Sequence, residues 1–474
     1  MKAGLTGKRK SRGSATIEVV IAFAVMSLTM TAAIVITFGT QAVALETILN
    51  HEALTKTSEE LEAAFANGQQ TFSKLVSIAP ANDGMYVKSI TVDDLTRCLK
   101  KVTSLFTWQA TPVRPQQVLL TTEISDRFGV LANGTDCEAA PPLHDWIVPL
   151  SLGHTTFTPG VATGLDVLNG IVYMSSNKSP GVRIADARHP GSPTLFTYAN
   201  GFDLGSDGVN AIDAAKNING KLYAYLAHNA ATDQLQVIDV SDPENPAFVT
   251  ARSLPGVAGA KPEGWSVYYY DSRLYIGTRR TVGREFHVFD VTDPTNPIWL
   301  GSRELNHNVN AIIVRDKIAY LATSGNVTDL IVLDVSDPST GMPTIKNLDL
   351  SGNHDGKSLY LLGMKLYFGK LTGSGPDFYV LDVSDPGHSI PLLAKLDLGT
   401  GALGIRVVGH LAFVITSNPS NPFLVWDISD SSHPTRVNPV RFAVTQTATG
   451  IDYEDELVYI SNQTNDALRI VYSP

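Results

Sequence analysis

Glu18 is the only ionisable residue between Arg12 and Glu46, and it stands at the mouth of the apolar run "VVIAFAVMSLTMTAAIVITF", residues 19–38. A carboxylate so close to a hydrocarbon layer is costly unless paired, so its position asks for a cationic partner. A second group with chemical potential is Asp207, Glu263, His307, His354 and Asp355. They sit in the loops "GSDGVN" (205–210), "KPEGWS" (261–266), "NHNVN" (306–310) and "GNHDGK" (352–357). Carboxylates and imidazoles converging on one face could hold a divalent cation or a polar ligand. The loops "TGALG" (400–404) and "TATG" (447–450) carry nothing comparable. A third set is an aspartate that recurs as Asp186, Asp239, Asp290, Asp334, Asp382 and Asp427. Spread over six separate repeats, these cannot meet on one substrate, and a role in chain turns is the better account. No G-x-S-x-G elbow, H-E-x-x-H pair, phosphate-cradling glycine loop or Ser-x-Asp-x-Gly-x-Thr-Trp box occurs, so no enzyme activity and no cofactor are expected.

The elements that would position these residues come from a repeat. The copies "LQVIDVSDPENP" (235–246), "FHVFDVTDPTNP" (286–297), "LIVLDVSDPSTGMP" (330–343), "FYVLDVSDPGHSIP" (378–391) and "FLVWDISDSSHP" (423–434) are the clearest. A degraded copy, "VRIADARHPGSP", precedes them, and "LRIVYSP" ends the chain with Tyr472 in the aspartate's place. The spacing of about 45 to 50 residues, with four short strands per unit, predicts β-propeller blades. In residues 309–349 the strands read "VNAIIV", "KIAYLAT", "DLIVLDVS" and "TIKNLDL", from inner to outer. Each motif aspartate is expected to accept the backbone N–H two residues on, while proline fixes φ for the turn. The seventh unit lacks an outer strand, and "DWIVPLSLG" (145–153) is expected to supply it. That would close a ring of seven and remove both sheet edges.

Ahead of the repeats, the 20 uncharged residues 19–38 are long enough to cross a bilayer as a helix. Lys2, Lys8, Arg9, Lys10 and Arg12 precede them, which predicts a cytoplasmic N-terminus and everything after residue 40 outside. A helix of some 60 residues is expected, half in lipid and half in water. The segments "SLFTWQAT", "QQVLLTTEI" and "RFGVLAN" read as strands of a small sheet. The formal charge of −10 argues against nucleic acid as a partner. Cys98 and Cys137 are too few and too far apart for a zinc site, and export would favour one disulfide between them.

The basic leader ending in Gly13, then Ser14-Ala-Thr-Ile-Glu18 and an apolar helix, resembles the class III signal of type IV pilins and pseudopilins. That resemblance implies cleavage after Gly13 by a prepilin peptidase and a free amine on Ser14. It implies that Glu18 pairs with this amine on a neighbouring subunit, the pair driving filament assembly. Ser14 departs from the family's usual methylated aromatic. The resemblance also implies a pilin-like head on the helix, stapled by Cys98–Cys137, worth roughly 3–4 kcal/mol for a loop of that size. The repeats resemble the LVIVD family of β-propellers, found on bacterial and archaeal surfaces. The expected organisation is a leader (1–13), a pilin-type helix (14–79, membrane span 17–38), a small α+β head (80–143) and a mainly β seven-bladed propeller (144–474). The expected function is a minor, tip-type pilin-like subunit. It would be single-pass in the cytoplasmic membrane and later at the cell surface or in the pilus, presenting the propeller for adhesion or recognition. Its partners would be other pilin subunits, the peptidase, the membrane and an unknown surface ligand. The alternatives are an anchored envelope scaffold and a lactonase-like hydrolase with a metal at the channel mouth.

Overall fold

The computed structural model describes residues 14–70, 75–96, 99–111, 114–125, 144–158, 160–217, 219–259, 262–315, 317–325, 327–352, 354–438 and 447–474. Gly13, Cys98, Cys137 and the expected strand at 127–133 lie outside them. The chain divides into two compact units, Met1–Gly129 and Val130–Pro474.

The first unit is built on helix α1 (Ser14–Gln70), with Ser14 and Glu18 on its opening turns. Its segment Val20–Phe38 has a mean hydropathy of 2.3 and is wholly exposed, the one stretch among the described residues long and apolar enough to cross a membrane. Farther along, Leu49, Ala53, Thr57 and Ala64 are buried at near four-residue intervals, marking one helical face. Four antiparallel strands in simple order cover it: β1 (Ile78–Asp83), β2 (Tyr86–Thr96), β3 (Leu99–Thr111) and β4 (Arg114–Ser125). Tyr86 and Ile90 on β2, and Val102, Phe106 and Trp108 on β3, alternate inward onto that face. Lys56–Asp83 (3.0 Å) and Lys88–Glu60 (2.6 Å) tie helix to sheet at the rim. The sequence reading found parts of β3 and β4 but neither β1 nor β2.

Among the described residues, the second unit holds seven four-stranded antiparallel sheets. Their inner strands are Ala162–Leu168, Val209–Lys216, Gly264–Tyr270, Val309–Arg315, Gly356–Leu362, Ala402–Val408 and Ala448–Glu454. Each touches the next, and the seventh touches the first, so the sheets form a closed ring around an axial channel. They are called the first to seventh ring sheets below. The second strand of every sheet is almost wholly buried between its neighbours, as in Ile171–Ser176 and Leu411–Thr416. Ring closure follows the expectation: β5 (Leu150–Thr155) pairs antiparallel with Leu468–Tyr472 as the fourth strand of the seventh sheet. The strand starts at Leu150 rather than Asp145, because Trp146 turns with φ 56° and plugs a core of Phe413, Phe423 and Val471.

All six motif aspartates accept the backbone N–H two residues on, at 2.8–3.0 Å, in the turn from third to fourth strand. That turn presses against the fourth strand of the preceding sheet. A Cβ on Gly153 would lie 2.1 Å from Pro190 O, and one on Gly301 would lie 2.1 Å from Pro338 O. Only glycine allows so close an approach of the two backbones.

Candidate functional site

Every inner strand of the ring breaks register at its second residue. The extra residue of such a bulge is left out of the ladder, and here all seven line the axial channel. At four positions this residue is Thr or Asn, and its side chain bonds the carbonyl at the head of the next inner strand. Thr449 donates to Ala162 O (3.1 Å), Thr163 to Val209 O (2.6 Å), Asn210 to Gly264 O (2.7 Å) and Asn310 to Gly356 O (2.7 Å). In the third and fifth sheets the neighbouring serine makes the same link, Ser266 to Val309 O (2.8 Å) and Ser358 to Ala402 O (2.9 Å). Six of the seven joints between sheets are thus stitched at one level. The bulge positions of the third, fifth and sixth sheets, Trp265, Lys357 and Leu403, are released from that duty.

These residues rim a cavity of about 740 Å³, within the usual range for small-molecule sites. Below the rim its wall is aliphatic, with Leu165, Ile212, Ile312, Ile405 and Ile451 in equivalent places. The charged side chains lining it, among the described residues, are Lys357 and Arg406. Arg406 donates from Nε to Asp452 Oδ1 at 2.8 Å and sits over the Tyr360 ring. The Lys357 ammonium has no hydrogen-bond or ion-pair partner among the described residues, and burial lowers its pKa. A side cavity of about 630 Å³ meets the first at Trp265 and is lined by Arg279 and Arg280. The Arg279 guanidinium lies 4.1 Å above the indole ring, which donates its N–H to Asn310 Oδ1.

One step deeper, three carboxylates repeat the stitching in another chemistry. Asp452 accepts from Val167 N (2.8 Å), Asp166 from Ala214 N (2.6 Å) and Asp213 from Tyr269 N (2.7 Å), each across a joint. Burial, then the charges of Asp452 and Asp213, push the Asp166 carboxyl well above the usual range. Burial also pushes Asp213 up to about 6, against the backbone bond from Tyr269 and the charge of Arg406. The Asp452 carboxyl is within hydrogen-bond reach of Asp166, which further favours the protonated form of Asp166.

The five residues singled out in the loops do not line the cavity. Asp207 is exposed. Glu263 is paired with Arg279 at 3.5 Å, His307 Nε2 meets Thr328 Oγ1 at 3.1 Å, and His354 Nε2 accepts from Ser374 N at 2.7 Å. Asp355 accepts the Leu371 N–H through its backbone carbonyl. Among the described residues no group of three or more His, Cys, Asp or Glu is placed to hold a metal ion. The physical reason is the bulge: it turns the residue after the loop toward the axis, while the Glu263, His307 and His354 side chains find partners outside the cavity. The loops at 400–404 and 447–450 contribute after all, through Leu403 and Thr449. A stacked alignment of the seven inner strands would have exposed Trp265, Lys357 and Leu403 as the places where a Thr/Asn position changes type.

Two segments, residues 218–251 and 308–346, match the family model described as the LVIVD repeat. No curated protein matches the sequence. Among solved structures, the ring is similar to the WD40 repeats of RRP9 (TM-score 0.50, 11% identity, 70% of this chain and 99% of that one). It is likewise similar to U3-55K (0.50, 10%, 70% and 100%) and to a chain of the mitotic checkpoint complex (0.50, 14%, 70% and 94%). At such identities the likeness concerns the fold: the chain is a repeat protein of the propeller type.

Proposed function

We propose that this protein is a recognition subunit whose seven-bladed propeller meets its ligand at the channel mouth, and that its N-terminal helix carries it in the membrane. In its finer form the proposal is a minor, tip-type subunit of a type IV pilin-like filament, displayed for adhesion, rather than an enzyme. The observation that carries it is the division of labour along α1. Nineteen residues, Val20–Phe38, are apolar and exposed, while the half beyond them is clasped by a four-stranded antiparallel sheet. An apolar half without a covering layer suits lipid or the core of a helical filament, where water is absent and a Glu18–ammonium pair is strong. Helices in such a core pack about 10 Å apart. A ring domain of over 300 residues is too wide to ride on every subunit at that spacing, which favours sparse or terminal incorporation.

N-terminal sequencing of the mature protein tests the reading: the chain should begin at Ser14. An intact Met1 would leave a single-pass anchored propeller, a scaffold of the envelope. Glu18→Ala should block entry into filaments while the protein still inserts and the ring still folds. Normal assembly of that variant would refute the pairing role.

A further inference from the structure

We propose that the channel mouth is a binding site for a small hydroxylated organic anion, a sugar-sized body bearing one carboxylate or sulfate, with the Lys357 ammonium as its anchor. The proposal rests on reading the ring as a recognition module, but not on how the helix is carried.

Four observations converge on this chemistry. The protein as a whole is acidic, at −10, yet the charged groups on the cavity wall are basic. A positive hollow in a negative protein repels cations, which the rest of the surface attracts, and concentrates anions. Arg406 is already satisfied by Asp452 at 2.8 Å, so the uncommitted charge is Lys357. The Lys357 ammonium is half-buried on the cavity wall with no counter-ion among the described residues, so a bound carboxylate or sulfate would supply the missing charge, and the partial burial lowers its pKa.

The second observation is the exception at this sheet. Ser358 takes over the stitch to Ala402 O, so the ring's mechanical needs do not explain a lysine at the bulge. The third is the same substitution at the third sheet, where Ser266 releases Trp265. An indole at the mouth, held by Asn310 and backed on one face by Arg279, offers a flat surface for the body of a sugar. The last is size and polarity. A cavity of about 740 Å³ walled by Ile and Leu below, with hydroxyl and amide groups at the rim, accepts one or two sugar rings rather than a polymer end-on.

The test uses the full chain in detergent micelles, with glucuronate as probe, glucose as its neutral counterpart and inorganic sulfate as the free anion. Glucuronate is expected to bind at millimolar concentration or below and glucose at least tenfold more weakly. Sulfate should compete if the anion alone is recognised. Lys357→Met should weaken glucuronate binding by about tenfold or more, the loss expected for one charge-assisted contact. Lys357→Arg should retain it within a few-fold, and Lys365→Met, on a second strand away from the cavity, should not change it.

A readout independent of affinity is the pH titration of ¹³C-methylated lysines by NMR. The signal that disappears in Lys357→Met should titrate below the other lysines and move up when glucuronate is added. Equal binding of glucose and glucuronate, unchanged binding by Lys357→Met, or no binding and no shift of the Lys357 titration by glucuronate or sulfate would each overturn the proposal. A chain that keeps Met1 but binds glucuronate would refute only the pilin reading, and the converse result would refute only the anion site.

Discussion

Replacing Asp213 with Asn should stabilise the ring at neutral pH, although it removes a charge that faces Arg406. The carboxyl of Asp213 is pushed up to about 6 from the ordinary 3.8, and that displacement is already net of Arg406's attraction and of the bond from Tyr269 N. Held more tightly in the folded than in the unfolded chain, its proton favours folding wherever the unfolded residue has lost it. Stability from this group is therefore fully present below about pH 3.8 and is lost progressively as pH rises from there to about 6. Above that the folded protein carries the whole cost of an ionised, desolvated acid, up to roughly 3 kcal/mol at about 1.4 kcal/mol per pH unit. An amide keeps the acceptor for Tyr269 N and carries no charge. Asp213→Asn should thus gain up to about 3 kcal/mol at pH 7.5, and the gain should fade to near nothing by pH 4. Urea unfolding across that range, followed by the fluorescence of Trp146, Trp265, Trp299 and Trp426, measures both. A variant less stable than the parent at pH 7.5, or a gain independent of pH, would mean that Asp213 works by pairing with Arg406 and that the reasoning is wrong.

Three further outcomes follow from the packing. Trp146→Ala should cost about 3–5 kcal/mol in urea unfolding, because the indole is fully buried edge-on to Phe413 at 4.8 Å beside the closing strand, whereas Trp146→Phe should cost clearly less. Gly301→Ala should lower the melting temperature by several degrees, since its methyl would meet the Pro338 carbonyl; Gly191→Ala, which faces open space, should be neutral by the same assay. Lys370→Met should cost about 3–5 kcal/mol. The lysine is buried, bonded to Asp329 Oδ2 (3.1 Å) and two carbonyls, and its loss strands the carboxylate, so Asp329→Asn in the same chain should restore part of the stability.

The ring was legible because its grammar is local. Alternating β-branched and aromatic residues name the strands, and the Asp-x-Ser-Asp-Pro turns punctuate them. The resemblance of "DWIVPLSLG" to the fourth strands of the other units pointed to the pairing that Leu150–Thr155 makes with Leu468–Tyr472. The first two strands of the small sheet were not legible: "IAPAND" carries Pro and Asn, and six of the eleven residues of "YVKSITVDDLT" are polar. The cavity was missed for a subtler reason. Which side chain faces the axis depends on a one-residue register break, and nothing in a hydrophobic pattern announces a bulge. Asp166, Asp213 and Asp452 were hidden for the converse reason: an acid in mid-strand reads as a solvent-facing position, whereas here it bonds the neighbouring strand.

Seven equivalent sheets could have been stitched seven times alike, and they depart from that in two ways. The carboxylate stitches occupy the joints from the seventh sheet to the third, an arc that contains the one place where the ring is closed by strand pairing rather than by continuous chain. Asp452, on the seventh sheet, bonds the first sheet across that seam, and Glu454 adds two more bonds there, to Asn169 N and Gly170 N at 2.6 Å. Charge-assisted bonds are the stronger kind, and those of Asp452 and Glu454 stand where separation of β5 from the strand Leu468–Tyr472 would open the ring. The bulge positions of the third, fifth and sixth sheets hold an indole, an ammonium and an isobutyl group, and in the third and fifth a neighbouring serine makes the stitch instead. The lysine can occupy its bulge because Ser358 has taken over the stitch beside it, just as Ser266 frees the position of Trp265.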